Sequence, residues 1–279
     1  MRLRPMLIIV PLSVAALAAA VVNRVVIADY FRSAMQPELP PAVSFEDVTV
    51  QEAVRPQADK APAAVPASEV KPAKSPLKPS MPEALTPLPT SFNLAVPFTS
   101  QAPLAIWDEV HEETCEEASL LMVDAFYDGR TSFDPDGADK ELLAIVDFEN
   151  KQFGYFEDTT AAETGVIARK FFGYETAEVV KAPTVEDIKR EVRAGHPVIM
   201  PAAGRELHNP YFKQPGPLYH MIVIRGWTEE GFITNDPGTR RGEGYVYPFE
   251  TIMDAMDDWD AEEGGLSGAK RVLVIEPNS

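Results

Sequence analysis

The chain contains a single cysteine, Cys115, at a position where a helix is predicted to begin. Thr114 and Glu117 have the spacing of a capping box, and Gly129 is a natural residue to end the helix. Unpaired backbone N–H groups and the positive end of the helix dipole favour a thiolate there, so nucleophilic catalysis is one interpretation. The other is a small buried apolar residue, because the acidic neighbours of Cys115 would raise the pKa of a nearby thiol. Position alone leaves both interpretations open.

A histidine and two polar side chains are predicted to face each other across a β-hairpin. His220 opens an apolar run that ends at Trp227. The next predicted strand, Gly231 to Thr234, is followed directly by Asn235 and Asp236. Strands joined by a tight turn run antiparallel, so the start of the first lies beside the end of the second. A histidine held by a carboxylate or an amide is the arrangement of a general base, whereas the alternative is a structural histidine beside an ordinary turn.

The elements that must position these residues are mostly helical at first and mostly β later. Helical periodicity and end signals predict helices over residues 115–129, 139–153, 160–172, 184–194 and 249–256. Apolar, β-branched runs predict strands over residues 92–97, 178–181, 197–200, 218–227, 231–234, 244–247 and 270–275. Helices first and then an antiparallel meander indicate an α+β domain.

The first 36 residues have the pattern of an export or membrane segment. Arg2 and Arg4 precede an apolar run from Met6 to Val22, which is typical of a secretory signal or a single N-terminal anchor. We interpret residues 1–36 as an anchor or signal segment and lean towards an uncleaved anchor. The arginines before the run place the rest of the chain outside the cytoplasm, attached to the cell membrane, or secreted if the segment is cleaved.

The remaining chain divides into a linker and a domain. Residues 37–90 are rich in proline, alanine and lysine and cannot bury enough apolar surface to offset their ordering entropy, so we predict a disordered, extended linker. Residues 91–279 are predicted to form one globular domain, which holds 16 of the 25 basic residues and 35 of the 43 acidic ones. Such an acidic domain argues against a nucleic-acid partner, which needs a basic surface.

Metal and cofactor sites have little support in the sequence. His111 lies beside Glu112 and Glu113, but adjacent residues do not share one helix face, so we set metal binding aside. The chain has no glycine-rich phosphate loop, and we expect neither a metal nor a cofactor. A single cysteine also excludes an internal disulfide, so the domain must rely on its core.

The order Cys115, His220 and then Asn235 or Asp236 is that of papain-like cysteine peptidases. The chain resembles the double-glycine, bacteriocin-processing type within that group. The matching segments are residues 96–101, 115–122, 219–227 and 234–237, and the resemblance extends from Asn93 to about Pro277. It implies a papain-like α+β fold with N-terminal helices packed on an antiparallel sheet, and a peptide or protein substrate.

Carried over residue by residue, the resemblance implies a catalytic role for four side chains. Cys115 would be the nucleophile, His220 the general base and then acid, and Asp236 the residue that orients the imidazole. Gln101 would donate from its side-chain amide to the oxyanion, where a positioned donor is needed in acyl transfer. Asn235 is a possible auxiliary residue that could share the role of Asp236.

One departure from the family pattern lies directly after the nucleophile. Glu116 and Glu117 occupy the places where the family usually has Gly and Pro. Glutamate in a first turn suits the helix dipole, but Glu116 cannot offer the close backbone approach that glycine allows. An acidic rim would favour basic or amine-bearing substrates, or would oppose the thiolate.

The sequence thus predicts an extracytoplasmic, membrane-tethered cysteine peptidase, expected to be a monomer, that hydrolyses peptide bonds. Two alternatives stay open. One is a catalytically inactive papain-like module that binds peptides or cell-wall fragments in the old cleft. The other is a cell-wall amidase with the same nucleophile.

Overall fold

The computed structural model of the protein describes residues 36–48 and 87–278. The predicted anchor at residues 1–36 lies outside the described residues except for its last position, as does most of the predicted linker. In the part of the chain that is described, no helix has both the length and the apolar character needed to cross a membrane. The chain divides into two units, Met1–Leu39 and Pro40–Ser279, and the second unit contains all of the predicted site residues.

This second unit combines helices with a large antiparallel sheet. Its helices are α1 Cys115–Tyr127, α2 Pro135–Gln152, α3 Ala161–Ile167, α4 Val185–Arg193 and α5 Phe249–Ala255. Its strands are β1 Phe92–Asn93, β2 Thr176–Lys181, β3 Val198–Ala203, β4 Tyr219–Trp227, β5 Gly231–Asn235, β6 Tyr245–Pro248, β7 Trp259–Asp260, β8 Gly265–Leu266 and β9 Arg271–Glu276. The predicted combination of helices and antiparallel strands is confirmed.

The sheet has the strand order β2-β9-β3-β4-β5-β6, with β1 paired to β4 and every pairing antiparallel. Strand β4 lies inside the sheet, between β3 and β5. All of its residues are buried, as expected for a continuous apolar run. Helix α1 packs against β4 and carries an almost wholly buried surface. The sequence therefore directs its most apolar strand and its most apolar helix to the same place in the core.

Helix ends follow the predicted chemistry at most positions. Thr184 accepts from the backbone N–H of Asp187, and the Asp187 side chain bonds back to Thr184, so α4 begins with a capping box. The helix predicted from residue 139 begins earlier, at Pro135, because Asp134 caps it and proline suits the first helical position. Helix α3 continues as a short π-helix, Ala168–Phe172.

Residues 40–48, whose composition places them in the linker, pack against the rest of the second unit. The backbone of Val43 exchanges hydrogen bonds with the segment around Leu94, from Asn93 to Ala95. The Phe45 ring packs edge-on against the aromatic residues at the end of α1, and Val48 is fully buried. Three apolar side chains in six residues offset the ordering entropy here, an effect that the proline-rich composition conceals.

Candidate active site

Strand β4 brings the predicted histidine next to the predicted nucleophile. His220 lies near the start of β4, where it pairs with Ala202 of β3. The first residue of α1, Cys115, lies against the next position of the strand, where the backbone amide of Met221 offsets part of the rise in the pKa of the thiol. The packing of α1 on β4 therefore brings together two residues more than a hundred positions apart in the chain.

The predicted contact across the hairpin is present. Asp236 follows β5 directly, and its Oδ1 lies 2.8 Å from Nε2 of His220. Both side chains are buried, at 1% and 0% exposure. The strand register pairs Val223 with Asn235, and the chain beyond β5 continues towards the start of β4, as expected for antiparallel strands joined by a turn.

Asp236 is held by a hydrogen-bond network that extends beyond His220. Its Oδ2 accepts from Nδ2 of Asn209 at 2.9 Å and from the hydroxyl of Tyr247 at 2.5 Å. Its Oδ1 also accepts from the backbone N–H of Gly238 at 3.0 Å. Burial by itself raises the pKa of Asp236, but the electrostatic interaction with His220 and these hydrogen bonds hold it below its usual value. Asp236 is therefore an ionised acceptor that fixes the imidazole.

The histidine ring is also confined by packing. The ring of Phe212 meets it edge-on, with centroids 5.3 Å apart. A Cβ at Gly238 would lie 2.8 Å from Cε1 of His220, so only glycine fits in the Asp-Pro-Gly turn beneath the ring. The imidazole is thus held by a carboxylate on one nitrogen and by apolar contacts on its faces.

The thiol of Cys115 donates a hydrogen bond to Oε2 of Glu116 at 3.0 Å. Within the described chain, no hydrogen bond joins the sulfur to the imidazole of His220. Burial, and then the charge and the hydrogen bond of Glu116, raise the pKa of Cys115 well above its ordinary value. The helix dipole favours a thiolate, but in this arrangement Cys115 is a neutral thiol.

The predicted capping box at Thr114 is wrong. Helix α1 does begin at Cys115, but the Thr114 side chain makes no cap hydrogen bond. Its hydroxyl donates instead to the carbonyl oxygen of Gln101 at 3.0 Å. The carbonyl of Gln101 is in the loop that covers this end of the helix. An unpaired buried carbonyl costs free energy, and the Thr114 hydroxyl satisfies this carbonyl instead of capping the helix.

Gln101 lies near the site, but its side-chain donors are in use. Its Nε2 donates to the carbonyl oxygens of His111 and Glu112, both at 2.9 Å, while its Oε1 is buried and has no partner among the described residues. Its backbone N–H donates to Pro237, which ties its loop to the turn after Asp236. In this arrangement Gln101 braces the loop, and no N–H is left for an oxyanion.

Asn235 does not share the role of its neighbour. Its Nδ2 donates to the carbonyl oxygens of Val96 and Pro97, and its Oδ1 accepts from Gly244 and from the buried guanidinium of Arg225. Successive side chains along a strand point to opposite faces, so when Asp236 faces His220, Asn235 faces away. Asn235 holds the segment that leads to Gln101.

The family model of the Peptidase_C39-like family matches residues 93–264. The chain belongs to the Peptidase_C39-like family. It is accordingly a cysteine peptidase by family. Among solved structures, a protein from Bacillus anthracis described as a C39-like peptidase is similar, with 18% identity, a TM-score of 0.44, and coverage of 67% of this chain and 98% of the other. No curated protein sequence matches the chain.

The other histidines of this C39-like peptidase lie outside the site. His111 bonds to Asp108 and Asp139, at 2.7 and 3.0 Å, and so joins the loop before α1 to α2. His196 pairs with Glu191, and His208 is exposed. Among the described residues, no group of three histidine, cysteine or acidic side chains has the arrangement needed to hold a metal ion.

Two residues of the site were not found by sequence reasoning, Asn209 and Tyr247. They lie 27 residues before and 11 residues after Asp236. Asn209 belongs to the proline-rich loop between β3 and β4, where no periodicity indicates which side chains turn inward. Tyr247 occupies a buried position of β6, which a strand pattern identifies as core and not as a partner for a carboxylate.

Proposed function

We propose that this C39-like peptidase hydrolyses peptide bonds through a papain-like triad of Cys115, His220 and Asp236. The observation that carries the proposal is the buried 2.8 Å contact between His220 and Asp236, with the sulfur of Cys115 against the neighbouring backbone of β4. A cysteine, a histidine and an orienting carboxylate supply the three groups that thiol-based acyl transfer needs.

The ring nitrogens of His220 then have separate tasks. Nε2 is held by Asp236, so Nδ1 is the nitrogen that takes the thiol proton. The thiolate attacks the scissile carbonyl carbon, and the leaving amine takes the proton from Nδ1 as the thioester forms. Water then attacks the thioester with Nδ1 as the base, and the acid product leaves with the thiol restored.

Oxyanion stabilisation by Gln101 stays a prediction. Its amide would have to release the carbonyl oxygen of His111 or Glu112 and turn towards the substrate. The loop that carries both carbonyls lies just before α1, so a bound peptide that moved this loop would free the donor. Such a donor contributes several kcal/mol to acyl transfer in other hydrolases, about 3–4 kcal/mol per hydrogen bond.

The proposal extends to where the enzyme acts. The two arginines and the apolar run near the N-terminus support a single-pass enzyme held outside the cytoplasm, or a secreted one if the segment is cleaved. The acidic domain, held by its proline-rich tether, would then act as a monomer on peptides or proteins near the outer face of the cell membrane.

The proposal is tested by peptide cleavage with the full chain. Wild type and Cys115→Ala are incubated with a peptide library prepared from whole-cell protein, and new peptide termini are identified by mass spectrometry. We expect new termini with wild type and none with Cys115→Ala, while circular dichroism shows an unchanged fold. Equal cleavage by the variant would overturn the triad. Isolated cell-wall fragments in a parallel reaction test the amidase alternative.

One observation favours a second candidate, an inactive module that binds peptides in the cleft. The Cys115 thiol is neutral and bonded to Glu116, which is not the state of an attacking nucleophile. This candidate predicts no new termini with either protein, and equal retention of library peptides by wild type and Cys115→Ala. The two candidates therefore give opposite results in the same experiment.

A further inference from the structure

Glu116 makes the closest polar contact to the sulfur of Cys115. Its Oε2 accepts the thiol hydrogen at 3.0 Å, and the side chain is 1% exposed. Its own backbone amide offsets part of the rise in the pKa of the carboxyl group. The second oxygen, Oε1, is buried and has no partner among the described residues. An acidic group is thus fixed beside the reacting atom without full hydrogen bonding.

The groups that face Glu116 are neutral or negative. Glu117 and the Cys115 thiol lie on its own helix, Glu149 on α2, Asp158 just before α3, and the Tyr219 hydroxyl on β4. None of these groups supplies a positive charge, and burial together with Glu117 raises the pKa of Glu116 well above its usual value. A thiolate beside an ionised Glu116 would place two negative charges in contact inside the protein, which is costly in a low dielectric.

We propose that Glu116 controls the ionisation of Cys115: while its carboxylate is charged, it keeps the proton on the sulfur, and Cys115 becomes reactive when Glu116 is neutral or displaced. The inference rests on the proposed role of Cys115 as nucleophile. The thiol proton passes from the sulfur to Nδ1 of His220, so one S–H bond breaks and one N–H bond forms. Glu116 forms no bond to the substrate.

The proposal explains why an unfavourable group is kept at this place. Because protonation of Glu116 removes the charge that opposes the thiolate, it should favour transfer of the thiol proton from Cys115 to His220. A peptide that turns the carboxylate away from the sulfur would have the same effect at neutral pH. The enzyme would then be latent until protonation of Glu116 or a bound substrate changes this one contact.

Glu116→Gln isolates the charge, because glutamine keeps the shape and the hydrogen-bond acceptor. The experiment measures alkylation of the full chain by iodoacetamide across roughly pH 5 to 10, followed by intact-protein mass spectrometry. Cys115 is the only cysteine, so each added mass reports this site alone. We expect the midpoint of the pH profile to move to lower pH in Glu116→Gln by about one unit, with alkylation about tenfold faster than in wild type on the rising part of the profile, above the raised pKa of Glu116.

Glu117→Gln is the matched control, since Glu117 is also buried in the first turn, but the sulfur donates to Glu116 and the charge of Glu117 affects the thiol less than that of Glu116. It should move the midpoint much less than Glu116→Gln. Greater access to the site would raise the rate at all pH values without moving the midpoint. Glu116→Ala should shift the midpoint in the same direction, so the test survives if glutamine disturbs folding, which circular dichroism reports.

An unchanged midpoint in both folded Glu116 variants, or an equal shift in Glu117→Gln, would overturn the inference. The outcome is separate from that of the proposed function. A shifted midpoint together with peptide cleavage that survives Cys115→Ala would support the control of the thiol by Glu116 and reject the triad. Cleavage that depends on Cys115, with an unmoved midpoint, would support the triad and reject the control of the thiol by Glu116.

Discussion

At the scale of single residues, the site depends on how one buried carboxylate is held. Asp236 accepts four hydrogen bonds, of which only the one from His220 was foreseeable from strand order. Asn209 and Tyr247 fix the far oxygen, so the near oxygen faces the imidazole. Without these donors, burial would raise the pKa of the carboxylate, and Asp236 would hold the histidine less firmly.

Tyr247→Phe tests this network by removing one donor to Asp236. We expect the turnover number for a peptide identified from the library to fall by about threefold to tenfold, with little change in KM, because the imidazole is held less firmly. The acidic limb of the turnover profile should also move to higher pH, since the pKa of Asp236 rises. Steady-state kinetics as a function of pH measure both effects.

Tyr174→Phe is the matched control for that variant. The hydroxyl of Tyr174 donates to the carboxylate of Asp124 at 2.8 Å, far along α1 from the nucleophile. Its loss should lower stability by about 1 kcal/mol, as for a typical hydrogen bond, and leave the pH profile in place. Identical profiles for Tyr247→Phe and wild type would show that Tyr247 has a structural role alone.

At the scale of elements, sequence patterns located α1 and β4 because their apolar side chains follow simple periods. Helix α1 begins at Cys115 as predicted, and β4 spans Tyr219–Trp227 against a predicted range of 218–227. The cap of α1 could not be predicted, because the partner of Thr114 is a carbonyl in a loop 13 residues away. The packing of residues 40–48 was missed for the same reason, since their partners lie around residue 94. Local patterns identify elements, whereas contacts distant in sequence decide how their ends are completed.

The interface between α1 and α2 contains a buried acidic pair, Glu117 and Glu149. Burial raises the pKa of Glu149 to about 8, and burial together with Glu149 raises the pKa of Glu117 well above its usual value. Folding therefore takes up protons between the unfolded carboxyl pKa near 4.5 and pH 8, so stability should fall as the pH rises through this range. Asp236 has the opposite sign, and its contribution is lost only as the pH falls below about 4.

Glu149→Gln should flatten this dependence. For wild type we expect a melting temperature that is higher at about pH 5.5 than at about pH 8.5. The difference should shrink in Glu149→Gln and persist in Asp147→Asn, an exposed position of the same helix. Differential scanning calorimetry of the full chain at both pH values measures these melting temperatures. A wild-type melting temperature that rises between these pH values would contradict the interpretation of the acidic pair.

At the scale of the whole molecule, the sequence predicts an export segment, a proline-rich linker and an acidic catalytic unit. The catalytic unit could be recognised because its motifs lie in the order of the family, and the family match over residues 93–264 confirms it. Residues 40–48, which composition places in the linker, contact the unit around Leu94. Composition averages over a long stretch and so conceals a short apolar segment at its edge.

The location of the enzyme is a prediction of the N-terminal pattern. We expect the full chain, expressed in bacteria, to sediment with membranes and to be degraded by protease added outside the inner membrane. Deletion of residues 1–36 should move it to the soluble cytoplasmic fraction. Protease resistance of the membrane-bound full chain in intact spheroplasts would contradict the proposed orientation.

The measurement that tests the central claim most directly is the intact mass of the enzyme during turnover. The full chain is mixed with a cleaved library peptide and quenched in acid within the first turnovers. A Cys115 nucleophile predicts an added mass equal to the N-terminal fragment of the peptide, attached at Cys115 and absent in Cys115→Ala. Peptide cleavage with no adduct at Cys115, and at the same rate in Cys115→Ala, would show that this cysteine is not the nucleophile.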